Sequence, residues 1–165
     1  MHASGFRLRS AAFADGETLD PSFTADEEDA VAPPLEWTDP PAGTKELVLI
    51  VEDPDAPAPK PLCHWLVWGL AAQRGKLLEG ETPPKTGRNS ARKNEWLLPD
   101  PPTGHGPHDY VFQLYATDRA LDLAAGAGRT AIVEALEGHV LAAAVLTAQY
   151  TRAADDDTFD EDDQD

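Results

Sequence analysis

Prolines and glycines interrupt this chain so often that its first two thirds can hold only short regular elements. The sequence has 15 prolines and 12 glycines among 165 residues, and both residue types weaken helices and strands. Three apolar segments rich in β-branched and aromatic residues remain between them: KELVLIVED, CHWLVWGL and HDYVFQLYATD. Because this composition is typical of strands, the sequence predicts that these segments carry most of a sheet.

Weaker patterns add further elements. FRLRSAAF alternates like a half-buried strand, a short strand is expected near Leu35–Thr38, and VLTAQYTR favours a final strand. Helical spacing appears after Thr130, the predicted N-cap, through Ile132, Val133, Leu136, Val140 and Leu141. Because no helix separates the main strands, we predict a mainly β chain, an antiparallel Greek-key β-sandwich with small peripheral helices near the C-terminus.

The charge pattern divides the chain. Residues 1–154 are long enough for one domain with its own core. Residues 155–165, DDDTFDEDDQD, hold eight acidic residues and no basic one, a composition typical of a solvated, disordered tail or of an interaction tail for a basic partner.

The overall composition excludes several classes of function. A net charge of -17 opposes binding to nucleic acid and stable association with anionic membranes. We expect a cytoplasmic protein, since no stretch approaches the length of a membrane helix, the N-terminus lacks the apolar core of a secretory signal, and Cys63 has no second cysteine to pair with.

Two strands begin with polar side chains. If strand residues alternate strictly, His64 shares a face with Leu66 and Trp68, and His108 shares a face with Tyr110. A polar residue at the strand end followed by apolar residues on the same face is typical of a pocket at the edge of a sheet.

Proline-rich loops flank these strand ends. DPDAP follows the first long strand, and PDPPTGHGPHDY leads into the third. Because proline fixes φ and restricts the residue before it, these loops are stiff. Two such loops facing each other would hold Asp53, His64, His108 and Tyr110 around one small cavity.

Taken together and in this order, the segments resemble the phosphatidylethanolamine-binding protein (PEBP) family, and its bacterial Raf-kinase-inhibitor-like branch in particular. The resemblance rests on DPDAP, on HW, and on PPTGHGPHDYVFQLYA, and it extends over nearly the whole chain through FRLRSAAFADGETLDPSFT, PPLEWTDPPAGTKELVLIVEDPDAP and EGHVLAAA. It implies a sandwich of two antiparallel sheets and a pocket for phosphate or a phosphatidylethanolamine headgroup.

The resemblance also implies the ligand-binding residues by position. They are Asp53, His64, His108 and Tyr110, with Pro101 and Pro102 as the pocket wall. Imidazoles and a phenol can donate hydrogen bonds to an anion. The Asp53 carboxylate would repel an anion, so we expect it to hold an imidazole by one ring nitrogen or to accept from an ethanolamine ammonium.

Three positions depart from the family pattern. Asp109 stands where an Arg is common, Trp96 where a Tyr is usual, and Leu62 where an aromatic residue is frequent. The change at Asp109 replaces a positive charge near the predicted pocket with a negative one, and so weakens the expected attraction for anions.

Three functions follow as hypotheses. The first is a non-catalytic module that binds a small anion or a phospholipid headgroup and needs no cofactor. The second is a protein-interaction regulator of a kinase or protease, whose pocket rim contacts the partner. The third, a hydrolase, is disfavoured because the chain has no G-x-S-x-G sequence and its serines lie outside the pocket segments.

Two further expectations concern metals and assembly. Asp53, His64, His105 and His108 are suitable metal ligands by type, but their spacing is not that of a metal site, and His105 reads as a loop residue. The bacterial resemblance is compatible with a homodimer, which no feature of the sequence requires.

Overall fold

The computed structural model describes residues 5–56 and 62–152. In chain order the elements are β1 (Leu8–Arg9), β2 (Leu35–Trp37), β3 (Glu46–Asp53), β4 (Leu62–Leu70), β5 (Gly75–Leu77), β6 (Lys85–Thr86), β7 (His108–Thr117), α1 (Arg129–Leu136) and β8 (Val140–Tyr150). One turn of 3-10 helix at Pro21–Phe23 precedes β2. The acidic segment 155–165 lies outside the described residues.

The strands form two antiparallel sheets. The small sheet has the order β1-β2-β5, and the large sheet has the order β6-β4-β3-β7-β8. Within the large sheet, β7-β3-β4-β6 is the Greek-key order, although β4 reaches β6 only after passing through β5 of the small sheet. The predicted mainly β, antiparallel two-sheet fold is confirmed.

Strand β3 is buried along its whole length because both faces of the large sheet are covered. Leu47, Leu49 and Val51 belong to the core shared with the small sheet. Val48 and Ile50 belong to a second core that includes side chains of α1. Burying each of these side chains stabilises the fold by about 1.5–3 kcal/mol.

The helix predicted from apolar spacing has different boundaries in the structure. Its N-cap is Gly128 and not Thr130, and α1 ends before Gly138, which adopts a left-handed φ of 80°. Val140 and Leu141, predicted as helical, belong to β8. The apolar spacing predicted one long helix, but Gly138 turns the chain between the apolar residues of α1 and those of β8.

Two other predicted strands differ in length. FRLRSAAF contributes only the two residues of β1, while the final strand is longer than VLTAQYTR and begins at Val140. Helix α1 has eight residues, and no helix in the two described ranges is long and apolar enough to span a membrane.

Candidate functional site

His64 reaches the site through a bulge in β4. Val51 of β3 pairs with Trp65, but the next residue, Glu52, pairs with Cys63. His64 is therefore an extra residue in β4, opposite no partner of its own in β3. Such a bulge changes the face on which the following side chains lie.

The bulge places the His64 ring in the core between the two sheets. Its centroid lies 5.2 Å from that of Tyr110, edge to face, and 6.2 Å from the Trp96 ring. Leu66 and Trp68 face the other way, in the cluster beneath α1. The predicted sharing of one face by His64, Leu66 and Trp68 is wrong, because the strict alternation behind it fails at the bulge.

Asp53 and His108 form a buried pair where β3 ends and β7 begins. The Asp53 Oδ2 atom lies 2.6 Å from His108 Nδ1, and the two residues are 2% and 1% exposed. Asp53 Oδ1 accepts from the backbone N–H of Asp55 at 2.8 Å, as expected for an Asp that begins a proline-stiffened turn. The carboxylate therefore holds an imidazole by one ring nitrogen.

The hydrogen bonds of His64 determine which of its nitrogens carries the proton. Nδ1 lies 2.7 Å from the backbone oxygen of Leu97, and because a carbonyl can only accept, Nδ1 is the donor. Nε2 is buried and has no hydrogen-bond partner among the described residues. Burial lowers the pKa of His64 and outweighs the Leu97 hydrogen bond, which acts in the opposite direction. At neutral pH, Nε2 therefore presents an unshared lone pair.

These side chains line a cavity of about 310 Å³. Its lining consists of Asp53, Ala56, Leu62, His64, Leu97, Leu98, Asp100, Pro101, Pro102 and His108. The structure thus brings five of the six sequence-predicted residues to one cavity, mostly apolar in its wall and polar where Asp53, His64, His108 and Asp100 meet it.

The sixth residue, Tyr110, lies behind the two imidazoles. Its ring packs edge-on against His64 and is stacked with His108 at a centroid distance of 6.5 Å. Tyr110 is 1% exposed, and burial raises the pKa of its phenol. Tyr110 supports both rings from the core, and its contact with a ligand stays a prediction.

The proline wall of the cavity, formed by Pro101 and Pro102, is held in place by Arg152, a residue that the sequence analysis did not predict to belong to the site. Its guanidinium donates from Nη1 to Asp100 Oδ1 at 2.7 Å and to the Pro101 carbonyl at 2.9 Å, and from Nη2 to Asp26 Oδ1 at 2.6 Å. Three acceptors around one guanidinium tie the cavity wall to the chain that follows β8. The nearest signal in the sequence was a lone Arg just before the acidic segment.

His105 is a loop residue, as the sequence predicts, but it also contacts the site, which the sequence analysis did not predict. Its Nδ1 lies 2.7 Å from His108 Nε2. Both ring nitrogens of His108 are therefore occupied, one by Asp53 and the other by His105. The spacing of three residues between the two histidines, with a glycine on each side of His105, was the available signal.

Of the three departures from the family pattern, only Leu62 lines the cavity. Asp109 is half-buried, and its side chain accepts from Gln149 at 3.0 Å. Trp96 is buried, and its Nε1 donates to the Phe23 carbonyl at 3.1 Å. In residues 5–56 and 62–152, no group of three or more His, Cys, Asp or Glu side chains is arranged to hold a metal ion.

The fold and this cavity place the chain among small two-sheet β-sandwich proteins with a cavity at the strand ends. The family model described as phosphatidylethanolamine-binding protein matches residues 9–151. The chain belongs to the phosphatidylethanolamine-binding protein family.

Individual relatives agree with this assignment. A UPF0098 protein of Methanothermobacter thermautotrophicus is 38% identical over 155 residues, which cover 88% of this chain and 98% of the relative. The solved structure of the PEBP homologue CT736 from Chlamydia trachomatis has a TM-score of 0.84 and 32% identity, covering 91% of this chain and 99% of that one.

A third relative bears on cellular location. LppC of Mycobacterium tuberculosis, which carries a lipoprotein name, is 39% identical over 127 residues, covering 76% of this chain and 62% of the relative. The cytoplasmic location expected from the sequence therefore stays a prediction.

Proposed function

We propose that this protein binds a small phosphate-bearing ligand of the phosphoethanolamine type in the cavity between His64 and His108, without catalysing a reaction. The observation that carries the proposal is His64 Nε2, a buried nitrogen that lacks a partner among the described residues and belongs to a residue lining the cavity. An unsatisfied buried polar atom is costly, and a ligand hydrogen bond would remove that cost.

The charges in the cavity indicate which ligand is preferred. Asp53 and Asp100 are acceptors, and neutral His64 is also an acceptor at Nε2. A bare phosphate dianion meets repulsion there. A ligand that carries N–H or O–H donors along with its phosphate matches the cavity better, because its donors can reach these acceptors. A His108 ring with a hydrogen on both nitrogens can donate from Nδ1 to Asp53 and from Nε2 to a phosphate oxygen.

Phosphoethanolamine has both groups, and this distinguishes it from phosphocholine, whose quaternary nitrogen has no N–H donor. The size of the site agrees with a ligand of this kind, since about 310 Å³ is at the lower end of ordinary ligand pockets. The family description of phosphatidylethanolamine binding supports the same ligand class.

Calorimetric titration tests the proposal. We expect phosphoethanolamine to bind the wild type, phosphocholine to bind at least about tenfold more weakly, and His64→Ala to lose most of the affinity, because buried polar groups that lose their partners cause strong discrimination. His139→Ala is the matched control, since His139 bonds to Asp118 on the surface at 2.7 Å. Absence of binding by folded wild type, or unchanged affinity in folded His64→Ala, would refute the proposal.

A further inference from the structure

The two histidines of the cavity differ in how free they are to meet a ligand. His64 Nε2 has no partner among the described residues. His108 Nε2, in contrast, lies 2.7 Å from His105 Nδ1, and the two ring centroids are 4.9 Å apart. His108 is almost fully buried, whereas His105 stands on an exposed turn.

Only one of the two facing nitrogens, His105 Nδ1 or His108 Nε2, can carry a hydrogen, because a hydrogen bond needs one donor and one acceptor. His108 Nδ1 bonds to the Asp53 carboxylate and must carry a hydrogen. If His108 is neutral, its Nε2 accepts from His105. If His108 is protonated, its Nε2 donates to His105. In both states the nitrogen is already engaged.

We infer that His105 is an internal competitor for His108, so that a ligand oxygen can bind His108 Nε2 only after the His105 ring has left it. This inference rests on the proposed function and adds a regulating residue to the same site. His105 is a positioning residue, since it acts through His108, and it does not itself line the cavity.

The backbone around His105 is held in place without help from the His105 side chain. Gly104 and Gly106 flank it with φ values of 75° and 94°, a region that glycine adopts without strain. The backbone of the loop is held by Gly104 N–H donating to the Arg152 carbonyl at 2.8 Å. A rotation of the His105 side chain alone breaks the contact with His108.

Removing His105 should therefore strengthen ligand binding. The loss of one competing hydrogen bond corresponds to a gain in affinity of about three- to tenfold. The test uses the full-length protein and phosphoethanolamine as the probe, and compares wild type, His105→Ala and the surface control His139→Ala by calorimetry. We expect the first variant to bind more tightly and the control to match the wild type.

Side-chain ¹⁵N NMR gives a second readout that a merely structural role of His105 would not move. In the ligand-free wild type we expect a coupling across the hydrogen bond between His105 Nδ1 and His108 Nε2, and its loss at saturating phosphoethanolamine. The His108 Nε2 resonance should shift in ligand-free His105→Ala, and thermal unfolding checks that this variant is folded.

The outcomes separate the two proposals. If the wild type binds but folded His105→Ala binds equally or more weakly, or if the coupling persists at saturation, the inference about His105 is wrong and the proposed function stands. If none of the three proteins binds phosphoethanolamine, the proposed function falls and the inference falls with it.

Discussion

Asp53 and His108 are 55 residues apart in the chain, yet Oδ2 of the one lies 2.6 Å from Nδ1 of the other. The pair joins the last residue of β3 to the first residue of β7, and water has almost no access to either side chain. Each group compensates for the burial of the other, so removing either one would leave an unpaired buried group at the strand ends that form the cavity.

Breaking this pair should be costly and non-additive. We expect His108→Leu to lower the free energy of unfolding by about 3–5 kcal/mol, since it leaves a buried carboxylate without its partner. Asp53→Asn, which retains an oxygen for the Asp55 N–H, should also destabilise the protein. The double variant should lose less than the sum of the single losses by at least about 1 kcal/mol.

Urea unfolding of the four proteins measures this cycle. Equal m-values would show that the unfolded states are comparable. Simple additivity of the two substitutions would contradict the coupling and would mean that the short Asp53–His108 distance contributes little to stability.

The parts of the fold that could be predicted from sequence are those with a dense local signal. KELVLIVED contains five consecutive apolar residues, Leu47 to Val51, and the structure makes it the central strand, buried on both faces. The helix was predicted too long because apolar spacing continues past Gly138, where the backbone turns. Apolar residues spaced in this way on both sides of a glycine are compatible with one long helix, and equally with a helix followed by a strand.

Half of the cavity lining was predicted from the sequence, namely Asp53, His64, Pro101, Pro102 and His108, but the hydrogen bonds of the site were not. The direction of His64 depends on a bulge between β3 and β4, and a bulge is a property of strand pairing that alternation within one strand cannot reveal. Arg152 likewise gains its role from Asp26, Asp100 and Pro101, which only folding brings near. The partner of His105 lies just three residues along the chain, but their contact depends on the geometry of the turn between them.

The buried His64 ring makes stability depend on pH. Burial lowers its pKa in the folded state, whereas the unfolded chain has the ordinary value of about 6.5. As the pH falls below about 6.5, His64 becomes protonated in the unfolded state but stays neutral in the folded state. The free energy of unfolding therefore decreases, with a slope of up to about 1.4 kcal/mol per pH unit.

Urea unfolding at several pH values between about 7.5 and 5 measures the slope. We expect His64→Leu, which has no proton to gain at this position, to show a shallower slope than the wild type. Parallel slopes for the two proteins would mean that His64 titrates in the folded state as it does in the unfolded state.

Cys63 should be unreactive in the folded protein. Burial, together with the nearby Glu52 carboxylate, raises the pKa of its thiol to about 11, so at pH 8 the thiolate fraction is on the order of 0.1%. A disulfide reagent should label the native protein slowly, at a rate that increases with urea as the chain opens, and should react fully once the chain is unfolded. Stoichiometric labelling of native protein within seconds would contradict this.

Arg152 should matter for both stability and binding because it holds the cavity wall. Arg152→Ala removes charge-assisted hydrogen bonds to Asp26 and Asp100 and the bond to the Pro101 carbonyl. We expect a loss of about 1–2 kcal/mol in the free energy of unfolding and severalfold weaker phosphoethanolamine binding, because the proline wall is no longer tied to the end of β8.

Arg9→Ala is the matched control for this substitution. Arg9 pairs with Glu36 at 2.8 Å on the small sheet, but the two side chains are 73% and 44% exposed, and such surface pairs contribute about 0–1 kcal/mol. Denaturant unfolding and calorimetric titration should therefore separate the two variants in both quantities. Equal affinity in wild type and Arg152→Ala would mean that the wall keeps its position without the guanidinium.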